Sequence, residues 1–162
     1  MKKYKWIILL VNLIVLLVFF NYSIIQKEKL LANGQLILLE LAPVDPRSLM
    51  QGDYMNLRYA ISNNINIDSI SKRGFCVVKL KEDGVAKKVR IQEQKTPINN
   101  DEFLIKYSYN GSRNVHFGAE SYFFQEGNSY KFEIAKYGGI KVDDQGNSIL
   151  IGLFDQNKKR IE

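Results

Sequence analysis

A chain of 162 residues can bury one hydrophobic core and is too short for two domains of ordinary size. Its formal charge of +6 is concentrated: five of the 23 basic residues (Lys2, Lys3, Lys5, Lys27, Lys29) and one of the 17 acidic ones (Glu28) flank a single apolar segment, leaving 18 against 16, a net +2, for the remainder. That ordinary surface excludes a nucleic-acid-binding protein, and the one cysteine, Cys76, excludes an intrachain disulfide, so the folded part must be held by its core alone.

Residues 6–25 are apolar except for Asn12, Asn21 and Ser23. As a helix they rise about 30 Å, the hydrocarbon thickness of a bilayer, and in lipid a helix satisfies its own backbone. Tyr4, Trp6 and Tyr22 suit the two interfaces. Lys2, Lys3 and Lys5 precede the stretch, whereas Lys27, Glu28 and Lys29 follow it with a net +1. The positive-inside bias therefore predicts a single-pass cell-membrane protein with a cytoplasmic amino terminus and an extracytoplasmic remainder. A cleaved signal peptide shares the basic-then-apolar order; against it, the core is long and no small-x-small site follows closely, with Ala32 nearby but Leu30 where a second small residue should stand. The expected organisation is a cytoplasmic stub and signal-anchor over 1–25, a juxtamembrane linker over 26–34 ended by Asn33-Gly34, an extracytoplasmic β-rich domain over 35–157, and a basic tail over 158–162.

Residues 36–41 are a short apolar run stopped by Pro43 and read as a strand. Pro43-Val44-Asp45-Pro46-Arg47-Ser48 follows as a rigid turn or a short helical turn starting at Pro46. Residues 54–61 alternate with period 2 and predict a strand with a largely apolar face, before a polar, asparagine-rich loop over 62–72. The clearest hairpin signal joins 74–80 to 85–91 through Glu82-Asp83-Gly84. A second loop carries Pro97, residues 103–109 alternate again, and Asn110-Gly111-Ser112 turns the chain into a partner strand over 115–117. Residues 119–124 fit helix or strand. Tyr130, Ile134 and Tyr137 stand at i, i+4 and i+7, the stripe of a short helix over 128–137 that Gly138-Gly139 stops. A closing hairpin links 140–142 to 148–154. The fold class is mainly β (β-rich α+β), with a compact antiparallel domain, barrel-like or otherwise closed, and one or two short helices.

Gly52-Asp53-Tyr54-Met55-Asn56-Leu57-Arg58-Tyr59 resembles the eight-residue pattern that names the GDYXXLXY protein family, and Pro43-Val44-Asp45-Pro46-Arg47-Ser48-Leu49 resembles the stretch before it. Phe117-Gly118-Ala119-Glu120-Ser121-Tyr122-Phe123-Phe124-Gln125-Glu126-Gly127 is similar to the family's second signature, with Gln125 where Pro is frequent. The resemblance covers nearly the whole chain. It implies a bacterial membrane-anchored protein, some members being encoded beside multi-spanning membrane proteins. A multi-spanning membrane partner is the corresponding expectation, alongside lipid contact through residues 6–25.

Asp45, Arg47, Asp53, Glu120 and Glu126 form a polar ligand- or partner-binding site if they converge, and otherwise fix turns, as Asp53 after Gly52 and Asp45 before Pro46 are suited to do. Glu120 and Glu126 share a face on a strand but not on a helix. His116 has no second histidine or cysteine near it, so no zinc site is expected, and Asp143-Asp144-Gln145-Gly146-Asn147 lacks the glutamate that closes a calcium loop. No cofactor and no catalytic residue is assigned. The leading expectation is a non-enzymatic domain that binds or stabilises a neighbouring integral membrane protein. The alternatives are a small-ligand or cation sensor using the carboxylates, and a hydrolase distantly similar to type I signal peptidases. For the hydrolase, Ser48 stands at the wrong step before Gly52-Asp53, and no lysine has a claim as its base.

Overall fold

The computed structural model describes residues 2–42, 54–63, 65, 70–111, 115–125 and 127–162. The amino-terminal segment is one unbroken helix, α1 (Lys2–Asn33), of 32 residues. It is long and apolar enough to cross a membrane, and its large apolar side chains from Tyr4 to Ile25 are all exposed. The helix continues through the juxtamembrane stretch until the Gly34 N–H turns back to the Leu30 carbonyl at 2.9 Å. Leu30, at 7% exposure, is where the domain takes hold of the helix, and the Lys141 ammonium tethers it by donating to the carbonyl of Leu31.

The domain is built from β1 (Gln35–Glu40), β2 (Tyr54–Asn56), β3 (Arg73–Leu80), β4 (Ala86–Gln92), β5 (Glu102–Ser108), β6 (Ser121–Phe123), the single helical turn α2 (Ser129–Phe132), β7 (Tyr137–Val142) and β8 (Ser148–Phe154). These strands form three antiparallel sheets in the orders β1-β7-β8, β2-β6 and β4-β3-β5. The predicted hairpin of β3 and β4 turns at Gly84, whose φ of +78° favours glycine, while Asp83 accepts the Val85 N–H.

Among the described residues no barrel closes, contrary to the closed form envisaged from the sequence. Closure needs continuous ladders round every edge. Here the sheets meet through single bridges, Leu38 to Val85 and Leu41 to Tyr59, and through bonds such as Lys106 N–H to the Gly146 carbonyl. The core lies between the sheets instead. Ile37 and Leu39 from β1, Cys76 and Val78 from β3, Ile105 and Tyr107 from β5, and Ile140 and Leu153 from the closing hairpin are all buried within it.

The alternation over residues 54–61 sorts burial as predicted. Met55, Leu57, Tyr59 and Ile61 are buried, while Asn56 and Arg58 are exposed. The strand itself stops at Asn56, and Ala60–Ser62 coil into a 3-10 turn. Of residues 119–124, which fitted helix or strand, Ser121–Phe123 form strand β6. The bridge between Ser108 and His116 is all that remains of the expected strand over 115–117.

The helix expected over 128–137 is corrected more heavily. Only Ser129–Phe132 is helical, and Tyr130 and Ile134 are exposed, whereas Phe132 is buried against Tyr122 and Phe124 at ring separations of 5.1 and 5.4 Å. Tyr137, Gly138 and Gly139 belong to β7. The two glycines leave room for aromatic rings rather than stopping a helix: a Cβ on Gly138 would lie 2.8 Å from Tyr59 Cε1, and one on Gly139 would enter the Phe154 ring. Residues 155–162 turn back on β8, with Ile161 donating to the Leu153 carbonyl and Lys158 paired to Asp83 at 2.8 Å.

Candidate functional site

The two signature blocks, far apart in the chain, form one structural unit. β2 and β6 pair in the register Tyr54 to Phe123, Met55 to Tyr122 and Asn56 to Ser121. The pairing is prolonged by the Leu57 N–H, which donates to the Glu120 carbonyl at 2.6 Å. Two residues later, the hydroxyl of Tyr59 donates to the Ala119 carbonyl, and its ring meets Phe117 edge-on at 6.3 Å. Burial first, and the nearby Glu120 carboxylate second, raise the Tyr59 pKa well above the ordinary phenol range, so the hydroxyl stays a donor. Leu57 and Tyr59, at 4% and 1% exposure, are therefore architectural members of the first block.

Of the five residues expected to form a site, Glu120 is described. It is half-buried, and its Oε1 accepts the Phe117 N–H, tightening the turn through Gly118 at φ +77°. Asp45, Arg47, Asp53 and Glu126 lie outside the described residues, as does Ser48. Glu120 opens onto a cleft of about 920 Å³ between the domain and the last turns of α1, lined by Ser23, Lys27, Ser121, Phe123, Asn147 and Leu150 among others. A second cleft, of about 740 Å³, lies against α1 beside Lys29 and Leu30 and is lined by Gln35, Phe103 and Asp144 on the domain side. In the sequence Lys27 stands only as an orientation charge. Nothing in the local pattern places it opposite Glu120's segment, because that proximity arises from the docking of Leu30.

Among the described residues, three further reactive groups, Cys76, Glu102 and Asp143, are committed to structure. Cys76 is fully buried, and its burial pushes the thiol pKa up to about 12 against a weaker opposing influence of Lys88, which removes it as a nucleophile. Glu102 accepts two bonds from Arg90, at 2.6 and 2.8 Å, and one from the Asn99 N–H. Arg90's side-chain bonds and then Asn99's backbone bond hold the Glu102 carboxyl down at about 2. Asp143 Oδ1 accepts the N–H groups of Gln145 and Asn147, and its Oδ2 accepts the Asn147 side-chain amide, so this carboxylate caps its own turn. Among the described residues no group of three or more His, Cys, Asp or Glu side chains could hold a metal ion.

A family model described as "GDYXXLXY protein" matches residues 16–153, which includes both signatures and every strand up to β8. No curated protein and no solved structure matches the chain. With most of its length accounted for by that one match, the chain belongs to the GDYXXLXY protein family.

Proposed function

We propose that the protein is a non-enzymatic, membrane-anchored subunit whose domain is held on the extracytoplasmic side, where it binds and stabilises a neighbouring multi-spanning membrane protein. The observation that carries this reading is Asn12. It sits about a third of the way along the apolar stretch of α1, is exposed, and its side-chain amide has no hydrogen-bond partner among the described residues, whereas Asn21 satisfies its amide on the Leu17 carbonyl at 2.8 Å. An unpaired amide in hydrocarbon is costly, and a facing transmembrane helix that offers a polar group relieves it. The flanking lysines support the orientation, since Lys2, Lys3 and Lys5 before the apolar stretch outnumber the net +1 of Lys27, Glu28 and Lys29 after it. The structural commitment of Cys76, Glu102 and Asp143 supports a non-enzymatic role.

Affinity purification of the tagged full-length protein from native membranes in mild detergent, with mass spectrometry of what remains bound, tests the proposal. A stoichiometric multi-spanning partner that is retained by the wild type and lost from Asn12→Leu is the expected result. Recovery of the protein alone, or with only further copies of itself, overturns it.

A further inference from the structure

The larger cleft carries a second inference, which needs α1 to span a bilayer but does not need a protein partner. Its α1 wall runs from Ser23, the last polar interruption of the apolar stretch, past Lys27 to Leu30. Seven residues of helix rise about 10 Å, so this wall lies across the level at which the helix leaves the hydrocarbon for the headgroup region. The opposite wall brings Gly118, Ala119, Ser121 and Phe123 down to the same level. Phe123 is 73% exposed, a large aromatic ring presented where a membrane interface would meet it.

The lining is amphiphilic rather than uniformly polar. Phe123, Ile149 and Leu150 provide apolar surface beside Gln26, Ser121 and Asn147. Its charges are unequal in availability. Glu120 already accepts the Phe117 N–H and Asp143 accepts three donors of its own turn, while Lys27 forms no ion pair with a described residue. A cavity of this size, whose ammonium has no ion-pair partner among the described residues and whose lining mixes polar and apolar side chains, suits an amphiphile that carries a phosphate. A free phosphate would leave the apolar lining unused.

We infer that this cleft seats one phospholipid of the membrane that α1 crosses, its phosphate paired with Lys27 and its glycerol and upper acyl region against Phe123 and Leu150. The occupant joins the domain to the bilayer surface, so that the domain is held against the membrane instead of swinging on α1.

The test uses full-length protein purified alone, delipidated in mild detergent and titrated with phosphatidylglycerol, with bound lipid counted by native mass spectrometry. One phosphatidylglycerol should bind to the wild type, with affinity about tenfold weaker in Lys27→Glu and weakened in Phe123→Ser, while Lys29→Glu, which makes the same charge change two residues away in the other cleft, binds as the wild type does. Glycerol phosphate in place of the lipid should not compete. Thermal unfolding of each variant verifies that it is folded. Equal binding by Lys27→Glu and wild type, an equal loss in Lys29→Glu, or full competition by glycerol phosphate each overturns the inference. Because the protein is tested alone, the result is independent of whether a protein partner is recovered.

Discussion

The Tyr59 hydroxyl donates to the main-chain carbonyl of Ala119, a residue 60 positions further along the chain. This one bond ties the first signature block to the second, and it lies in the core, where neither group has water to fall back on. Gly138 is part of the same arrangement, since its missing side chain is the space that the Tyr59 ring occupies.

Tyr59→Phe keeps the ring and removes the hydroxyl, leaving the Ala119 carbonyl unpaired. Urea denaturation of the full-length protein in detergent should show a loss of about 1–3 kcal/mol. Tyr59→Ala adds a cavity and should cost about 3–5 kcal/mol. A Tyr59→Phe variant as stable as the wild type would mean that the bond contributes nothing to joining the blocks.

The β7 glycines make a paired prediction. Gly138→Ala places a methyl 2.8 Å from the Tyr59 ring, and Gly139→Ala drives one into the Phe154 ring, so each should destabilise by about 1–3 kcal/mol through overpacking. Phe154→Leu should recover part of the loss in Gly139→Ala and none of it in Gly138→Ala. Equal recovery in both would show that the clash is not local to the named ring.

Glu102 predicts a pH dependence with a definite sign. Its carboxyl titrates near 4.5 when unperturbed and at about 2 when held by Arg90 and Asn99. The folded pKa is the lower one, so its contribution is fully present above about pH 4.5 and is lost as pH falls toward 2. Stability measured across that window should drop more steeply for the wild type than for Glu102→Gln. Parallel profiles would remove the Arg90 pair as the cause.

Cys76 should be silent to thiol reagents while the domain is folded. Burial and a pKa pushed up to about 12 both withhold the thiolate, so maleimide labelling at pH 8 should follow the rate of opening and become complete in denaturant. Rapid labelling under native conditions would contradict the placement of β3 in the core.

What was legible in the sequence was what depends on neighbours a few residues away. Helix α1 follows from an apolar run as long as a bilayer is thick, because in lipid the backbone has no other way to satisfy itself. The β3–β4 hairpin follows from two apolar runs around Asp83-Gly84, where the turn geometry selects those residues. The burial of Met55, Leu57, Tyr59 and Ile61 follows from period 2, which survives even where the strand does not. Tertiary structure alone decided the rest. Ser121–Phe123 is a three-residue strand because β2 waits for it, and a ladder that short has no local signature. Tyr130 and Ile134 have helical spacing yet face outward, since Phe132 is the side chain that the Tyr122 and Phe124 rings receive. Gly138 and Gly139 look like a stop in one dimension and are room for two rings in three. Lys27 and Glu120 line one cleft only because Leu30 docks the end of α1 into the domain, and such proximity is a property of packing between distant segments, on which local periodicity carries no information.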